Sequence, residues 1–316
     1  MTALAATLCP ATAPPADFLD VMLGDARARG RRRIGMVFPG DRSSLETALR
    51  LALEGIAEVT LIGPRERMLD IGRAEGLVLS GLHIVDSGQE VEDAARMACQ
   101  LVASGDIDLL MKGSLHTDTL MRSVVSRSAG LRTSRRVSHA FAMQVQGRQT
   151  PLILADCVVN VAPTLHEKVH ILEHAVQVAK AIGVACPRVA LLSFTESVMP
   201  GAPSTLEAAA LAKMAERGQI RGALIDGPLA FDNAVSPASA SAKGIDSAVA
   251  GHADILVVPN LESGNALYKS LVYMAGASCA GVVLGARCPV VLTSRTDSLQ
   301  SKVYSAALAS IMLSPV

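Results

Sequence analysis

Short apolar runs recur along the chain, and stretches with helical periodicity separate them. The stretches 44–56 and 90–104 repeat apolar residues at helical rather than alternating spacing. Strands that alternate with helices predict βαβ units around mostly parallel sheets, and hence an α/β fold. The predicted strands are 34–38, 59–62, 82–85, 107–111, 152–155, 189–193, 223–226, 255–259, 282–285 and 290–293.

So many strands exceed what one simple wound sheet of a 316-residue chain holds, and two lobes are therefore predicted. The basic turn near Arg132 gives way to a new apolar run and marks the first crossover. Residues 1–16 are small and Pro-rich, without a basic segment before a long apolar core. They are predicted to be a disordered leader and not a signal peptide.

One helix start has a specific signal. After Pro203, Ser204 and Glu207 stand at the spacing of a capping box, and Gly218 offers a C-terminal stop. A structural helix is predicted between them.

Composition excludes several classes of protein. The 29 basic and 29 acidic residues balance, which argues against a nucleic-acid protein. The six cysteines include no CxxC pair, so free thiols are expected and neither a cysteine-type zinc site nor a disulfide framework is indicated. No uncharged run looks like a membrane span. A soluble, cytoplasmic protein is expected.

Three motifs in the last third join the end of an apolar run to Gly, Ser, Asn, Asp or Arg. They are Asp226–Asn233, Pro259–Asn265 and Leu292–Asp297. In an α/β protein such junctions are the carboxyl ends of strands, where ligands bind. A cleft that holds an anion is predicted there.

Each candidate residue has a structural alternative. Lys112 and Ser114 lie in a turn whose backbone amides could seat an anion, or in an ordinary strand–turn–helix joint. Ser294-Arg295 could bind phosphate through the guanidinium, or could be a helix cap followed by a surface arginine. The carboxylates of Asp226 and Asp232, six residues apart, could bind a metal or act as acid and base. Asp226 and Asn233 could equally stabilise their own turns.

His166-Glu-Lys-Val-His170 formally matches the H-E-x-x-H zinc pattern. The longer continuation with Gly and a further His is missing, so a solvated helix face is favoured over a peptidase site and no metal is predicted. The chain also contains no G-x-G-x-x-G, Walker or G-x-S-x-G pattern.

The motifs Asp226–Asn233, Pro259–Asn265 with the following Tyr268-Lys269, and Leu292–Ser298 resemble the phosphate acetyltransferase/phosphate butyryltransferase family. Lys112-Gly-Ser114 and Gly130–His139 resemble its N-terminal half, and the similarity runs from about Phe18 to the end. The residues of these motifs are more similar to the butyryl branch, and to the transacetylase part of bifunctional enoyl-CoA hydratase/phosphate acetyltransferases, than to the ordinary acetyl enzymes.

The resemblance implies a two-lobed fold like that of isocitrate and isopropylmalate dehydrogenases, with mostly parallel sheets, an interdomain cleft and no nicotinamide. It implies a discontinuous lobe of residues 17–131 and 283–316, a second lobe of residues 132–282, and a homodimer or higher homo-oligomer. The implied reaction converts acyl-CoA and phosphate into acyl phosphate and CoA, with acetyl or butyryl as the acyl group. Coenzyme A is then a substrate, and no cofactor is needed.

By the resemblance, Ser294 matches the serine that steers the CoA thiol, and Arg295 matches the arginine that grips phosphate. Acetyl enzymes carry an Asp as the thiol's base where this chain has Ser301, and Asp297 is the substitute offered here. An arginine of the acetyl enzymes falls near Met121, beside Arg122, and is not transferred. The further substrate-binding candidates are Lys112, Ser114, Arg132, Asp226, Asn233 and Asn265.

The hypothesis is direct acyl transfer, in which the CoA thiol attacks the carbonyl of the acyl phosphate and phosphate leaves. Alternatives are a metal- and NAD-dependent decarboxylating dehydrogenase of the same fold, and a non-catalytic CoA-binding protein.

Overall fold

A computed structural model of the chain describes residues 17–313. The predicted leader, residues 1–16, lies outside this range. The described chain divides into a terminal unit, formed by Leu19–Val137 and the chain from Cys279 onward, and a middle unit, Ser138–Ser278. The structure thus changes from one unit to the other after Val137 and after Ser278. The sequence analysis placed these two changes after residues 131 and 282.

The elements alternate between helix and strand over most of the chain. The terminal unit starts with α1 (Phe18–Ala28), β1 (Arg32–Val37), α2 (Arg42–Leu53), β2 (Ala57–Gly63), α3 (Arg65–Glu75), β3 (His83–Asp86), α4 (Val91–Ala103), β4 (Leu109–Lys112) and α5 (Thr117–Val124). The middle unit contains β5 (Ser138–Gln144), β6 (Leu152–Ala155), α6 (Leu165–Ala181), β7 (Arg188–Leu192), α7 (Pro203–Glu216), β8 (Leu224–Leu229), α8 (Phe231–Val235), α9 (Pro237–Ala242), β9 (Ile255–Val257) and α10 (Leu261–Tyr273). The chain then returns to the terminal unit with β10 (Ser278–Leu284), β11 (Val290–Val291) and α11 (Leu299–Met312).

The sheet of the terminal unit has the order β3-β2-β1-β4-β11-β10, and every pair is parallel except β10–β11. All four residues of β4 are buried, as expected for a central strand covered on both faces. Val37 pairs with Lys112, and Val291 pairs with Met111. The carboxyl ends of β1, β4 and β11 therefore lie side by side at one edge.

The strands of the middle unit follow the order β5-β6-β9-β7-β8, with β5–β6 antiparallel and the other pairs parallel. The sequence analysis missed β5, whose start is polar. Its Ser138 and His139 are both buried, and the Ser138 hydroxyl lies 2.7 Å from the Nδ1 atom of His174. The other strands were predicted from continuous apolar runs. Strand β5 begins with two polar residues, so this signal is absent at its start.

The predicted capping box at Ser204 is wrong. Helix α7 begins at Pro203, two residues earlier than a cap at Ser204 implies, with Ala202 as its N-cap and no side-chain cap. The fixed φ of proline suits the first helical position, which moves the helix start off Ser204. Glu207 pairs with Lys168 instead. The predicted stop is confirmed, since Gly218 follows the helix end with φ +74°.

Four buried cysteines form no disulfide, at positions 99, 157, 279 and 288. Cys186 is disulfide-bonded, so the expectation of free thiols is wrong there. Within residues 17–313, none of the helices combines the length and apolarity that crossing a membrane requires. The same residues contain no group of three or more His, Cys, Asp or Glu that could hold a metal ion.

Candidate active site

A pocket of the terminal unit lies where β1, β4 and β11 end. It brings together three of the predicted site residues, Lys112, Ser294 and Arg295. The adjoining loops add residues that the sequence analysis did not single out. The lining residues are Met36, Asp41, Ser44, Thr47, Met111, Lys112, Gly113, Thr293, Ser294, Arg295 and Lys302.

Lys112 is the last residue of β4, and its side chain is buried, with 7 % of the residue exposed. Its Nζ donates to the carbonyl oxygens of Gly113 and Leu115, both at 3.3 Å. Burial lowers the pKa of Lys112, and the positive charges of Arg295 and Lys302 lower it further. Asp297 and Asp41 act in the opposite direction but leave the pKa below its ordinary value. Around Lys112 the neighbouring cations therefore act more strongly than the neighbouring carboxylates.

Two further cations face the same pocket. Arg295 is exposed, and its Nη2 donates to the carbonyl oxygen of Ser114 at 2.8 Å. Lys302, in α11, is 5 % exposed, and its Nζ donates to the Ser43 hydroxyl at 2.6 Å. Among residues 17–313, neither these two side chains nor Lys112 takes part in a salt bridge. Cations without a paired carboxylate make the pocket suited to an anionic ligand.

Ser294 lies in a turn that Asp297 closes. The Asp297 carboxylate accepts from the Ser294 amide at 2.7 Å, and the Asp297 amide donates back to the Ser294 carbonyl at 3.3 Å. The Ser294 hydroxyl is exposed and lies 3.0 Å from that of Thr296. Ser301 lies in the first turn of α11, where its amide donates to the N-cap Ser298 at 3.0 Å.

Asp41 is a site residue that the sequence analysis missed. It is the N-cap of α2 and accepts from the Ser44 amide at 2.8 Å and from the Ser114 hydroxyl at 2.7 Å. Burial raises the pKa of Asp41, but these hydrogen bonds and the charge of Lys302 outweigh it, and the pKa is lowered overall. The available signal was an Asp directly before an amphipathic helix.

The Gly113-Ser114 turn does not offer the anion-binding amides that were predicted. The Gly113 amide donates to Val37 and the Ser114 amide to Phe38, both at 2.9 Å, so the end of β1 occupies them. A Cβ at Gly113 would lie 2.5 Å from the Val37 carbonyl oxygen. The Ser114 hydroxyl is engaged as well, because it accepts from the Gly40 amide at 2.8 Å. This turn holds the loop after β1 in place.

Arg132 is exposed and forms an isolated bridge with Ala286, outside the lining of this pocket. Met121 is buried in α5. Arg122 is exposed and pairs with Asp118 in the same helix. Neither position brings an arginine into the pocket lining.

The other three predicted residues lie in the middle unit and are bonded within it. The Asp226 carboxylate accepts from the Gly227 amide at 2.8 Å, as the turn interpretation expects. Asn233 is fully buried and donates to Glu196 at 3.1 Å. Asn265 donates to the Cys157 carbonyl at 3.3 Å. Next to Asn265, Gly264 allows a close backbone approach, since a Cβ there would lie 2.9 Å from the Asp156 carbonyl oxygen.

Two histidine groups of the middle unit differ in environment. His166 and His170 lie on α6 with ring centroids 5.1 Å apart. His139 in β5 is fully buried, and neither ring nitrogen has a hydrogen-bond partner. Burial lowers the pKa of His139 to about 3, so this imidazole is neutral.

Comparison with known proteins gives consistent matches. A family model described as "Phosphate acetyl/butaryl transferase" matches residues 79–310. A phosphate acetyltransferase of Rhizobium meliloti is 46% identical over 92% of this chain and 92% of that protein. A phosphate butyryltransferase of Clostridium acetobutylicum is 38% identical over 90% of this chain and 95% of its own length.

Solved structures agree on the fold. A branched-chain phosphotransacylase from Enterococcus faecalis V583 aligns with a TM-score of 0.78 at 28% identity, over 89% of this chain and 99% of that one. A 4-hydroxythreonine-4-phosphate dehydrogenase from Klebsiella pneumoniae aligns with a TM-score of 0.55 at 13% identity, over 90% and 100% of the two chains, and shares the fold alone. The predicted fold class, an α/β fold of the isocitrate dehydrogenase type with mostly parallel strands, is confirmed.

Proposed function

Because the chain belongs to the phosphate acetyltransferase and phosphate butyryltransferase family, and so converts acyl-CoA and phosphate into acyl phosphate and CoA, we propose that its terminal-unit pocket holds the phosphate. One observation carries the proposal: Lys112, Arg295 and Lys302 line the pocket, and within residues 17–313 none of the three is in a salt bridge. A phosphate anion supplies the negative charge that the pocket lacks.

Arg295 grips the phosphate in this proposal. A guanidinium stays charged at any working pH and can donate two parallel hydrogen bonds to a phosphoryl group. The bond from Arg295 to the Ser114 carbonyl orients the guanidinium. Lys112 adds a buried ammonium at the end of β4. A phosphate anion beside Lys112 would favour its protonated form, against the burial that lowers its pKa.

Ser294 orients the CoA thiol next to this phosphate. In the direction of acyl-CoA synthesis, sulfur forms a bond to the acyl carbon, and the bond from that carbon to the phosphate oxygen breaks. Phosphate leaves with the electron pair. A free thiol has a pKa of about 8.5, so a base that takes its proton raises the fraction of thiolate. We assign this proton to Asp297, whose carboxylate is fixed on the Ser294 amide.

The remaining candidates support substrate binding less directly. Arg132 is exposed and offers a positive charge to anionic CoA. Asp226, Asn233 and Asn265 fix turns of the middle unit through the hydrogen bonds described above. We also propose that the chain works as a homodimer or larger homo-oligomer, as family membership implies, and light scattering of the purified protein measures this.

The test is phosphate-dependent release of CoA from acetyl-CoA and from butyryl-CoA. We expect the wild type to use both phosphate and a short acyl-CoA, and the ratio of the two kcat/KM values gives the acyl preference. Arg295→Ala removes the phosphate contact and is expected to lower kcat/KM for phosphate by roughly 100-fold or more. Arg122→Ala is the matched control, because Arg122 is exposed and lies outside the pocket. Near-normal turnover by Arg295→Ala would remove Arg295 from the site.

A further inference from the structure

Lys302 is a charged residue in the buried, largely apolar part of α11. Nearly all of the helix after Ser301 is buried, and its neighbours Val303, Ala306 and Ala307 are fully covered. Helix α11 packs against α2 and β11, so the lysine stem runs within the core of the terminal unit. Burying an ammonium is costly unless an opposite charge or good hydrogen bonds compensate. The structure gives Lys302 one hydrogen bond, to the neutral Ser43 hydroxyl.

The groups around the Lys302 ammonium are mostly positive. It lines the same pocket as Lys112 and Arg295. Ser43 belongs to the first turn of α2, a helix of 12 residues whose N-terminus adds a partial positive charge. Asp41 is the acidic residue in the lining, and its two carboxylate oxygens already accept from Ser44 and Ser114. The charge of Lys302 lowers the pKa of Asp41, so these two attract each other. The lining nevertheless holds three cations against this one carboxylate, and an anion would offset the excess positive charge.

We propose that Lys302 is a phosphate-binding residue of this enzyme, aimed at the phosphoryl group by the Ser43 hydroxyl. This inference rests on the proposed function, since it adds a residue to the same site. It also assigns the ammonium a role in the reaction. Negative charge grows on the phosphate as the bond to the acyl carbon breaks, and a fixed buried cation stabilises that charge without reorganisation.

The variant Lys302→Met tests this role, because methionine keeps an unbranched chain and removes the charge. We expect the KM for phosphate to rise by roughly tenfold or more, while the KM for acetyl-CoA stays within about threefold. Lys302→Arg restores a cation and is expected to recover part of the affinity for phosphate. Lys213→Met is the matched control, since Lys213 is exposed and pairs with Glu216 on α7.

A second measurement separates binding from folding. Inorganic phosphate should raise the melting temperature of the wild type and of Lys213→Met, and clearly less that of Lys302→Met. A folded Lys302→Met variant with an unchanged KM for phosphate and an unchanged phosphate-induced shift overturns the inference. If Lys302→Met does not fold, the KM for phosphate of Ser43→Ala tests the inference instead, because this variant removes only the hydroxyl that orients Lys302. A raised KM for phosphate in Ser43→Ala supports the inference, and an unchanged one overturns it.

The two proposals fail in different ways. If Arg295→Ala loses phosphate-dependent activity while Lys302→Met keeps it, the phosphate pocket stands and Lys302 is excluded from it. If the wild type binds no phosphate and Arg295→Ala turns over normally, the pocket assignment itself is wrong.

Discussion

Replacing the buried His139 should change how the stability of the protein depends on pH. The ring is fully buried in β5, packs 4.2 Å from the Phe141 ring, and has no partner at either nitrogen. Burial lowers its pKa from 6.5 to about 3. Because the folded pKa lies below the unfolded one, the unfolded state binds the proton more readily between these values. Stability is therefore complete above pH 6.5 and is lost as the pH falls from 6.5 towards 3.

The size of the effect follows from the two pKa values. At about 1.4 kcal/mol per pKa unit, the difference between 6.5 and about 3 corresponds to roughly 5 kcal/mol at low pH. Between pH 6.5 and 5 the wild type should lose about 2 kcal/mol relative to a variant without this imidazole. His139→Leu is that variant, because leucine has a similar volume and suits the apolar surroundings.

The measurement is the free energy of unfolding by urea at several values between pH 7.5 and 5. Other buried groups titrate too, since burial raises the pKa of Asp156, whose carboxylate accepts from the His139 amide. The difference in the free energy of unfolding between the wild type and His139→Leu isolates the contribution of the His139 ring. It should fall with pH below 6.5, whereas the exposed His83→Gln control should follow the wild type. A wild-type-minus-His139→Leu difference that stays flat down to pH 5 would refute the reasoning.

Two further substitutions probe the loop that carries the pocket. Gly113→Ala places a Cβ 2.5 Å from the Val37 carbonyl oxygen and should cost about 1–3 kcal/mol of stability and most of the activity. Urea unfolding measures the stability, and CoA release measures the activity. The control Gly81→Ala, with open space around its Cβ, should leave both unchanged. Ser114→Ala leaves Asp41 without one of its donors and should cost about 1–3 kcal/mol, with the KM for phosphate raised. An active, fully stable Ser114→Ala variant would contradict the role given to that hydroxyl.

The sequence predicts the strands of this protein better than its polar details. Apolar runs such as Leu152–Ala155 coincide with β6, because buried parallel strands need continuous apolar residues. Strand β5 escaped detection because it buries Ser138 and His139. The capping pattern at Ser204 was misleading, since Pro203 starts the helix first.

The site was predictable where a motif carried it. Ser294 and Arg295 follow a strongly apolar run and meet Lys112 in the pocket. Lys302 was not predictable in this way, because a single lysine in a helical segment normally faces solvent. Its burial against Ser43 depends on the packing of α11 on α2, which joins residues far apart in the chain. Only the tertiary structure shows that contact.

Titration of inorganic phosphate into the purified protein tests the central claim most directly. Calorimetry should show binding to the wild type and to Arg122→Ala, weakening as ionic strength rises because the pocket attracts phosphate through its cations. Arg295→Ala should bind phosphate at least about tenfold more weakly while melting at a similar temperature without ligand. Equal phosphate affinity in the wild type and in Arg295→Ala would contradict the account of this pocket.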